Sequence, residues 1–378
     1  MIEKHQKVDS TYLILTIVML GIGFIVQYSA SSFLATAKYN NPNVYIIAHL
    51  KRMIFGAVIG IGFMFFNYQW LKKIAFWLTI LSMLFLVAVV VYYKAKGISE
   101  AARWLSIGPF RFQPSEFTKL ALIIYIASFI DRHQKELHDF KQGFLPVTGV
   151  LGVSLLLIVI EPNYSTTAVV GSLCLMLMVI GGTRLLFLTP LFAVCVIASV
   201  YIIIHSPYKL QRFFTFLNPE QDIQHAGYQL HQSLISLGNG GFFGRGLGGG
   251  VEKNLFLPEP HTDFVFAVVG EELGFIGALV LLILFLVMFF QGLRIAGKAP
   301  DVFGNLLGIG LSMSMFCYVL ANIGVVCGVF PVTGLPLPFL SYGGSTMIFN
   351  FICIGILLNI SRQALPLKKP TNLVMLNG

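Results

Sequence analysis

Pro258-Glu-Pro-His-Thr-Asp-Phe-Val-Phe-Ala-Val-Val-Gly-Glu-Glu-Leu-Gly274 runs from a proline-bounded polar segment straight into an apolar one and sets four carboxylates across the boundary: Glu259, Asp263, Glu271 and Glu272. The apolar run continues over 264–291, enough helix to cross the roughly 30 Å hydrocarbon layer of a bilayer. Ionisable groups at such depth cost roughly 2.5–3.5 kcal/mol each on insertion scales, so they are paired, face a wet cavity or act on a substrate. Asp263, at the mouth of the span, is the leading candidate for chemistry.

Working outward, the same pattern recurs along nearly all 378 residues, of which 56% are hydrophobic and 11% charged; an average soluble domain carries roughly 25% charged residues. Apolar runs at 11–30, 46–66, 71–93, 117–130, 144–160, 164–180, 185–204, 264–291, 303–329 and 344–360 read as ten transmembrane helices. The expectation is an all-α integral membrane protein, residues 1–378 forming a single polytopic membrane domain, with a long extracytoplasmic loop, 205–263, between spans 7 and 8. The run 117–130 is short, and 46–66 is interrupted by His49, Lys51 and Arg52. The N-terminus has basic residues, an apolar run and Ala35-Thr-Ala37, in the style of a signal peptide, but the run is too long for a typical h-region and reads as an uncleaved first span.

An even number of spans puts both termini on one side. Lys4, Lys7, Lys72, Lys73, Arg132, Lys135, Lys141, Arg184, Arg294, Lys298, Arg362, Lys368 and Lys369 share that side, which the positive-inside rule makes cytoplasmic. The opposite loops hold nearly as many basic residues in about twice the length, so the bias is one of density. The net charge of +9 suits anionic lipid headgroups; without a basic helix or aromatic RNA-binding signature it does not point to nucleic acid. Five cysteines, all in or beside spans, have no metal-ligand spacing and read as packing residues.

Three external loops are long enough to build a site: 31–45, 94–116 and, above all, 205–263. Within the third, 229–237 reads as a short amphipathic helix lying at the membrane interface, with Leu230, Leu234 and Leu237 on one stripe. The glycine run from Gly244 to Gly249 matches G-x-G-x-x-G, but no βαβ unit surrounds it, so a nucleotide fold is rejected. No internal repeat of the transporter kind is visible.

Asp263 sits where a helix begins. The helix dipole favours its carboxylate while burial opposes it, which can tune it towards a general base; the plain alternative is a cap or interface anchor. Glu271 and Glu272 lie too deep to share a bond with it, and structural pairing inside the bundle is their favoured reading, although Glu272 is kept among the candidate substrate contacts. In the segment from Arg103 to Leu120, Pro114-Ser-Glu suits a helix start and puts Glu116 and Lys119 on one face at i, i+3. These two either neutralise each other or line a cavity, where Lys119 and Arg103 would meet phosphate. Glu161-Pro-Asn and Pro336-Leu-Pro-Phe-Leu-Ser-Tyr-Gly-Gly-Ser345 break the chain near the external surface and can edge a groove. Gln232 and His261 complete the candidate substrate contacts.

Ala102-Arg-Trp-Leu105, Phe112-Gln-Pro-Ser-Glu-Phe-Thr-Lys119, Glu161-Pro-Asn, Gly238-Asn-Gly-Gly241, Pro258-Glu-Pro-His-Thr-Asp-Phe264, Gly270-Glu-Glu-Leu-Gly274 and Gly334-Leu-Pro-Leu-Pro-Phe-Leu-Ser-Tyr-Gly-Gly-Ser345, in this order over almost the whole chain, resemble the SEDS proteins of shape, elongation, division and sporulation, the FtsW and RodA family. The segments Gly227-Tyr-Gln-Leu-His-Gln-Ser and Leu257-Pro-Glu-Pro-His-Thr-Asp, with Glu161-Pro, resemble the FtsW division branch more than the RodA elongation branch. Asn163 departs from the Asp expected in that turn.

The resemblance implies a peptidoglycan glycosyltransferase that polymerises lipid II, a disaccharide-pentapeptide on undecaprenyl diphosphate, at the outer face of the bacterial cytoplasmic membrane, probable septal location included. It implies a class B penicillin-binding protein of the FtsI type as partner, along with other division proteins. It matches Asp263 to a catalytic aspartate, and Glu116 and Lys119 to charged residues of a central cavity. Arg212, Arg245, Lys119 or a divalent cation, Mg²⁺ or Mn²⁺, would stabilise the departing diphosphate. A lipid II flippase, with a midplane site and two-sided access, and the elongation paralogue remain as alternatives, as does a scaffold that only recruits the crosslinking enzyme.

Overall fold

The computed structural model describes residues 7–96, 103–107, 110–217, 226–254 and 256–364. Lys4, Lys368 and Lys369 of the basic set, and Ala102 of the Ala-Arg-Trp motif, lie outside them. The helices are α1 (Ser10–Tyr39), α2 (Val44–Phe65), α3 (Gln69–Ala95), α4 (Pro114–Arg132), α5 (Leu145–Ile160), α6 (Tyr164–Ile180), α7 (Leu185–Ile204), α8 (Pro207–Leu217), α9 (Ala226–Gly240), α10 (Val265–Gly297), α11 (Val302–Val326) and α12 (Ser345–Gln363). A π-helical turn, Phe140–Phe144, leads into α5. Between α3 and α4 a two-stranded antiparallel hairpin pairs β1 (Leu105–Ile107) with β2 (Phe110–Phe112), Leu105 opposite Phe112.

Each of the ten sequence-predicted spans coincides with a helix, and seven segments of the described residues are long and apolar enough to cross a membrane by themselves. α4 is not among the seven, and its position explains why. It is the hub of the bundle, packed by α3, α5, α6, α11 and α12, with all but a few of its residues buried. A helix walled by protein needs no lipid-facing apolar surface, so it can carry Glu116 and Lys119. The outer helices show the complementary pattern: Ile14, Ile17, Ile54, Val58, Trp77, Leu84, Val91, Val280 and Phe290 are exposed, as a lipid-facing belt requires.

The loop 205–263 is more structured than its sequence suggested, since it holds α8 and α9. α9 is the predicted amphipathic helix, but it packs on α10 and α11 rather than lying free at the interface. Its inward face is Leu230 with Ser233 and Ser236, whose hydroxyls donate to the carbonyls of Val326 and Ala267, while Leu234 of the expected apolar stripe is exposed. The serines bind the neighbouring backbones and so turn the helix away from the orientation its leucines alone would choose.

α10 is broken at Gly274, where φ is 68° and ψ −170°, a region open only to glycine. The glycine-rich segment after α9 enters the break. Arg245 and Gly246 donate their N–H groups to the carbonyls of Glu271 and Glu272, while Phe275 and Ile276 donate to the carbonyls of Gly241 and Phe242. The backbone groups that the kink frees are thus satisfied by the loop. The contact is glycine on glycine: a Cβ on Gly274 would lie 2.3 Å from the nitrogen of Gly244.

Hydrogen bonds gather one end of the bundle. Asp9 caps α1 and accepts from Gln291 of α10; Arg132 and Ser128 donate to the carbonyl of Lys72; Arg362 and Asn359 donate to the carbonyl of Met64; and Asp301 caps α11 while accepting from Tyr68 and Gln69. Most described members of the basic set cluster at or near this end. With all five native cysteines replaced, we expect an impermeant maleimide to label Gln134→Cys only after permeabilisation and Leu247→Cys in intact cells. The converse pattern would invert the orientation.

Candidate functional site

Asp263 belongs to the turn that precedes α10, and Phe264, not Asp263, occupies the N-cap position without a side-chain hydrogen bond. The capping alternative is therefore removed. The turn is tied by Asn322 of α11, whose amide donates to the carbonyls of Asp263, at 2.7 Å, and Leu335, at 2.8 Å. Among the described residues no hydrogen bond reaches the Asp263 carboxylate, and Gly334 lies close enough that a Cβ there would come 3.3 Å from Oδ2. The carboxylate is free to accept a proton from something else.

Burial pushes Asp263 up to about 6; Glu259 adds to the rise and Arg103 opposes it. Arg103 also bears on Glu161, which burial pushes up to about 8 against the pull of that guanidinium. Among the described residues neither carboxylate oxygen of Glu161 has a hydrogen-bond partner, whereas Arg103 donates to the carbonyl of Pro162 at 2.7 Å. The β1–β2 hairpin region, the α5–α6 turn and the α10 entry therefore converge: Arg103, Glu161 and Asp263 share one electrostatic neighbourhood, one acid held neutral near pH 7 and the other ionised.

A base at about 6 must lose its proton before it can act, so activity should rise as pH climbs through about 6 and level off above it. Removing the negative neighbour in Glu259→Gln should move this limb to lower pH, and removing the positive one in Arg103→Gln should move it higher. Polymer yield measured against pH for the three proteins checks the sign; superimposable limbs would detach the profile from Asp263.

His261, two residues before Asp263, is buried in an aromatic group with Tyr45 at 4.9 Å and Tyr342 at 5.6 Å between ring centroids. Burial lowers its pKa; Glu259 opposes this and Lys38 adds to it. Its carbonyl accepts from the Tyr342 N–H at 2.8 Å. This ties the turn to the Ser-Tyr-Gly-Gly-Ser segment before α12, so two motifs distant in sequence meet at the site.

Other candidates stand apart. Lys119 Nζ lies 2.8 Å from Glu116 Oε2 and 3.8 Å from the Tyr318 ring centre, and the Tyr318 hydroxyl donates to Glu116 Oε1 at 2.8 Å. Both charges are buried, so the pair is closed on itself and on Tyr318 and presents little to a substrate in this arrangement. Glu272 is paired with Lys253 and accepts from Ser29 of α1; Glu271 accepts from the backbone of Val251 and Glu252 and from Ser236. Both glutamates are thus partnered inside the bundle, and the Glu272 carboxylate meets Lys253 and Ser29 rather than Asp263. Arg245 faces Glu271 at 3.7 Å. Arg212 on α8 donates to the carbonyl of Val332 at 3.4 Å, two residues from Gly334, and so borders the site. Gln232 lies half-buried on α9.

The sequence reading missed Lys253, whose loop position looks solvated, and the burial of Glu161. Among the described residues no group of three or more His, Cys, Asp or Glu side chains is placed to hold a metal ion.

The family model described as cell cycle protein, covering FtsW, RodA and SpoVE, matches residues 10–365. The chain belongs to this family. It is 37% identical over 372 residues to stage V sporulation protein E of Bacillus subtilis, covering 96% of this chain and 100% of the relative. It is 38% identical over 358 residues to a probable peptidoglycan glycosyltransferase FtsW of Trichlorobacter lovleyi, covering 95% and 94%. Among solved structures, a chain of a peptidoglycan synthase complex that coordinates polymerization and crosslinking is similar at a TM-score of 0.75 and 24% identity, over 94% of this chain and 98% of that one. The rod shape determining protein RodA of Thermus thermophilus is similar at 0.69 and 23%, over 95% and 98%; both likenesses concern the fold. Asn163, the departure from the FtsW pattern, donates its amide to Ser115 of the Pro-Ser-Glu motif at 3.2 Å and so joins two family segments.

Proposed function

We propose that this member of the FtsW family uses Asp263 as the general base of a peptidoglycan glycosyltransferase that polymerises lipid II during cell division. The observation that carries the reading is a carboxylate at the entry of α10 with no hydrogen-bond partner among the described residues and a pKa pushed up to about 6. As the anomeric carbon of the donor leaves its diphosphate, the acceptor sugar hydroxyl attacks it and gives its proton to Asp263; the C–O electron pair departs with the diphosphate. A base near 6 is ionised at neutral pH yet basic enough to share the proton in the transition state.

The site lies at the end of the bundle opposite the basic cluster, which supports an outer-face reaction and cytoplasmic termini over a midplane transport site. The solved relative from a polymerization and crosslinking complex supports a transpeptidase partner of the class B penicillin-binding type; a division role would put the pair at the septum. Purified protein reconstituted with such a partner and labelled lipid II should give a ladder of glycan polymer on a gel. Lipid II crossing the bilayer without polymer formation would favour the flippase reading.

A further inference from the structure

We propose that the site-facing end of α2 and the N-terminus of α12 form an anion subsite, in which Arg52, His49, Ser345 and the first N–H groups of α12 hold the diphosphate of a lipid-linked sugar. This rests on the glycosyltransferase reading and names where the charge of its substrate sits.

The two helices run parallel and touch through glycine. A Cβ on Gly56 would lie 2.5 Å from the Phe351 ring, one on Gly60 2.7 Å from the Phe351 carbonyl, and one on Gly355 2.2 Å from the Gly60 carbonyl. Followed one turn at a time towards the site, this packing brings the Arg52 and His49 end of α2 to the start of α12 and the Tyr342 segment before it. The contacts agree: the Arg52 guanidinium lies 4.3 Å from the Tyr342 ring centre, and the His49 ring stacks at 6.3 Å on the same tyrosine.

α12 begins without a side-chain cap, Gly344 standing at the N-cap position. Its leading N–H groups have no partner outside the helix among the described residues, and such an end attracts negative charge. Beside it two buried side chains want a partner. Among the described residues the buried Ser345 hydroxyl has none, and His49 is fully buried with neither ring nitrogen bonded; buried polar groups of this kind are ordinarily satisfied. Arg52 makes no ion pair among the described residues, and its guanidinium lies over the Tyr342 ring. Gly343 and Gly344 are partly exposed, so the end is open to a ligand.

Of the other cations offered by the sequence, Lys119 is paired with Glu116 and Arg245 faces Glu271, while Arg103 and Arg212 reach the backbone carbonyls of Pro162 and Val332. The subsite adjoins the base, because Tyr342 donates its N–H to His261, two residues before Asp263. A planar guanidinium and a helix N-terminus together suit phosphate oxygens. Two sources share that chemistry, the polyprenyl diphosphate of the substrate and the phosphodiester of a bilayer lipid, and the first is the one next to the reacting carboxylate.

The test separates binding from turnover. Labelled lipid II is bound to Asp263→Asn protein in phosphatidylcholine nanodiscs, alone and with Arg52→Gln, Arg52→Lys or Ser345→Ala added, and thermal stability is measured in parallel. Arg52→Gln should weaken binding by about 10- to 100-fold, the worth of a charge-assisted hydrogen bond, and Arg52→Lys by less. Undecaprenyl diphosphate should displace the label and phosphatidylglycerol should not. Binding by a stable Arg52→Gln protein within twofold of its parent would overturn the subsite, and equal displacement by phosphatidylglycerol would assign it to the bilayer instead. If Arg52→Gln does not fold, unchanged binding by both Arg52→Lys and Ser345→Ala overturns it, while a loss in either sustains it. A wild-type protein that binds lipid II through Arg52 but makes no polymer would sink the glycosyltransferase reading and leave the subsite standing.

Discussion

Asp263→Asn should fold, reach the membrane and still bind lipid II, yet make glycan about 10²–10⁴-fold more slowly, the usual cost of losing a general base. The folding expectation comes from what holds the turn: Asn322 grips the Asp263 and Leu335 carbonyls, not the carboxylate. The side chain contributes no hydrogen bond that its replacement would forfeit. Asp263→Glu should also be impaired, because the extra methylene moves the carboxylate away from the position Asp263 holds beside Gly334, where a Cβ on the glycine would come 3.3 Å from Oδ2. Single-turnover glycan synthesis, read beside thermal stability, measures both. A stable Asp263→Asn protein with near wild-type synthesis would remove the base from the mechanism.

The membrane fold was legible because burial in lipid demands unbroken apolar runs, and all ten runs became helices. What the runs concealed is which helix is central. α4 looked short and defective as a span, and that defect is the mark of a helix surrounded by protein. Long polar loops give a weaker signal: α9 was visible in its leucines, but the serines that set its orientation act through neighbouring backbones that no local pattern announces.

At the site, Asp263 was legible because a charge at the edge of a span is costly unless used. Arg52 and His49 were visible as interruptions of the second span, with nothing in the sequence to say that glycine packing of α2 against α12 would bring them to Tyr342. Glu116 and Lys119 were correctly placed on one helical face; the third member, Tyr318, comes from α11, and only the fold shows that it closes the pair. Spacing along one helix can be read from sequence, whereas the group that arrives from a helix two hundred residues away cannot.

Lys253→Met should be the most damaging single change outside the turn that carries Asp263. Lys253 is 5% exposed and Glu272 2%, and the ammonium also donates to Ser29 of α1, so one side chain joins the glycine-rich loop, α10 and α1. Removing it leaves the Glu272 charge buried with Ser29 alone, a loss of about 3–5 kcal/mol where water does not reach it. Replacing both charges in Lys253→Met/Glu272→Met removes the uncompensated carboxylate as well and should restore most of the lost stability. Activity should not return to the same degree, because the pair also anchors the loop that fills the break at Gly274, and the half-helix Val265 to Leu273 that follows Asp263 hangs on that anchor. Thermal unfolding in detergent and polymer yield for the two variants distinguish the cases. Equal recovery of both would make the pair a matter of stability alone, and an unchanged melting point in Lys253→Met would mean that water already reaches Glu272.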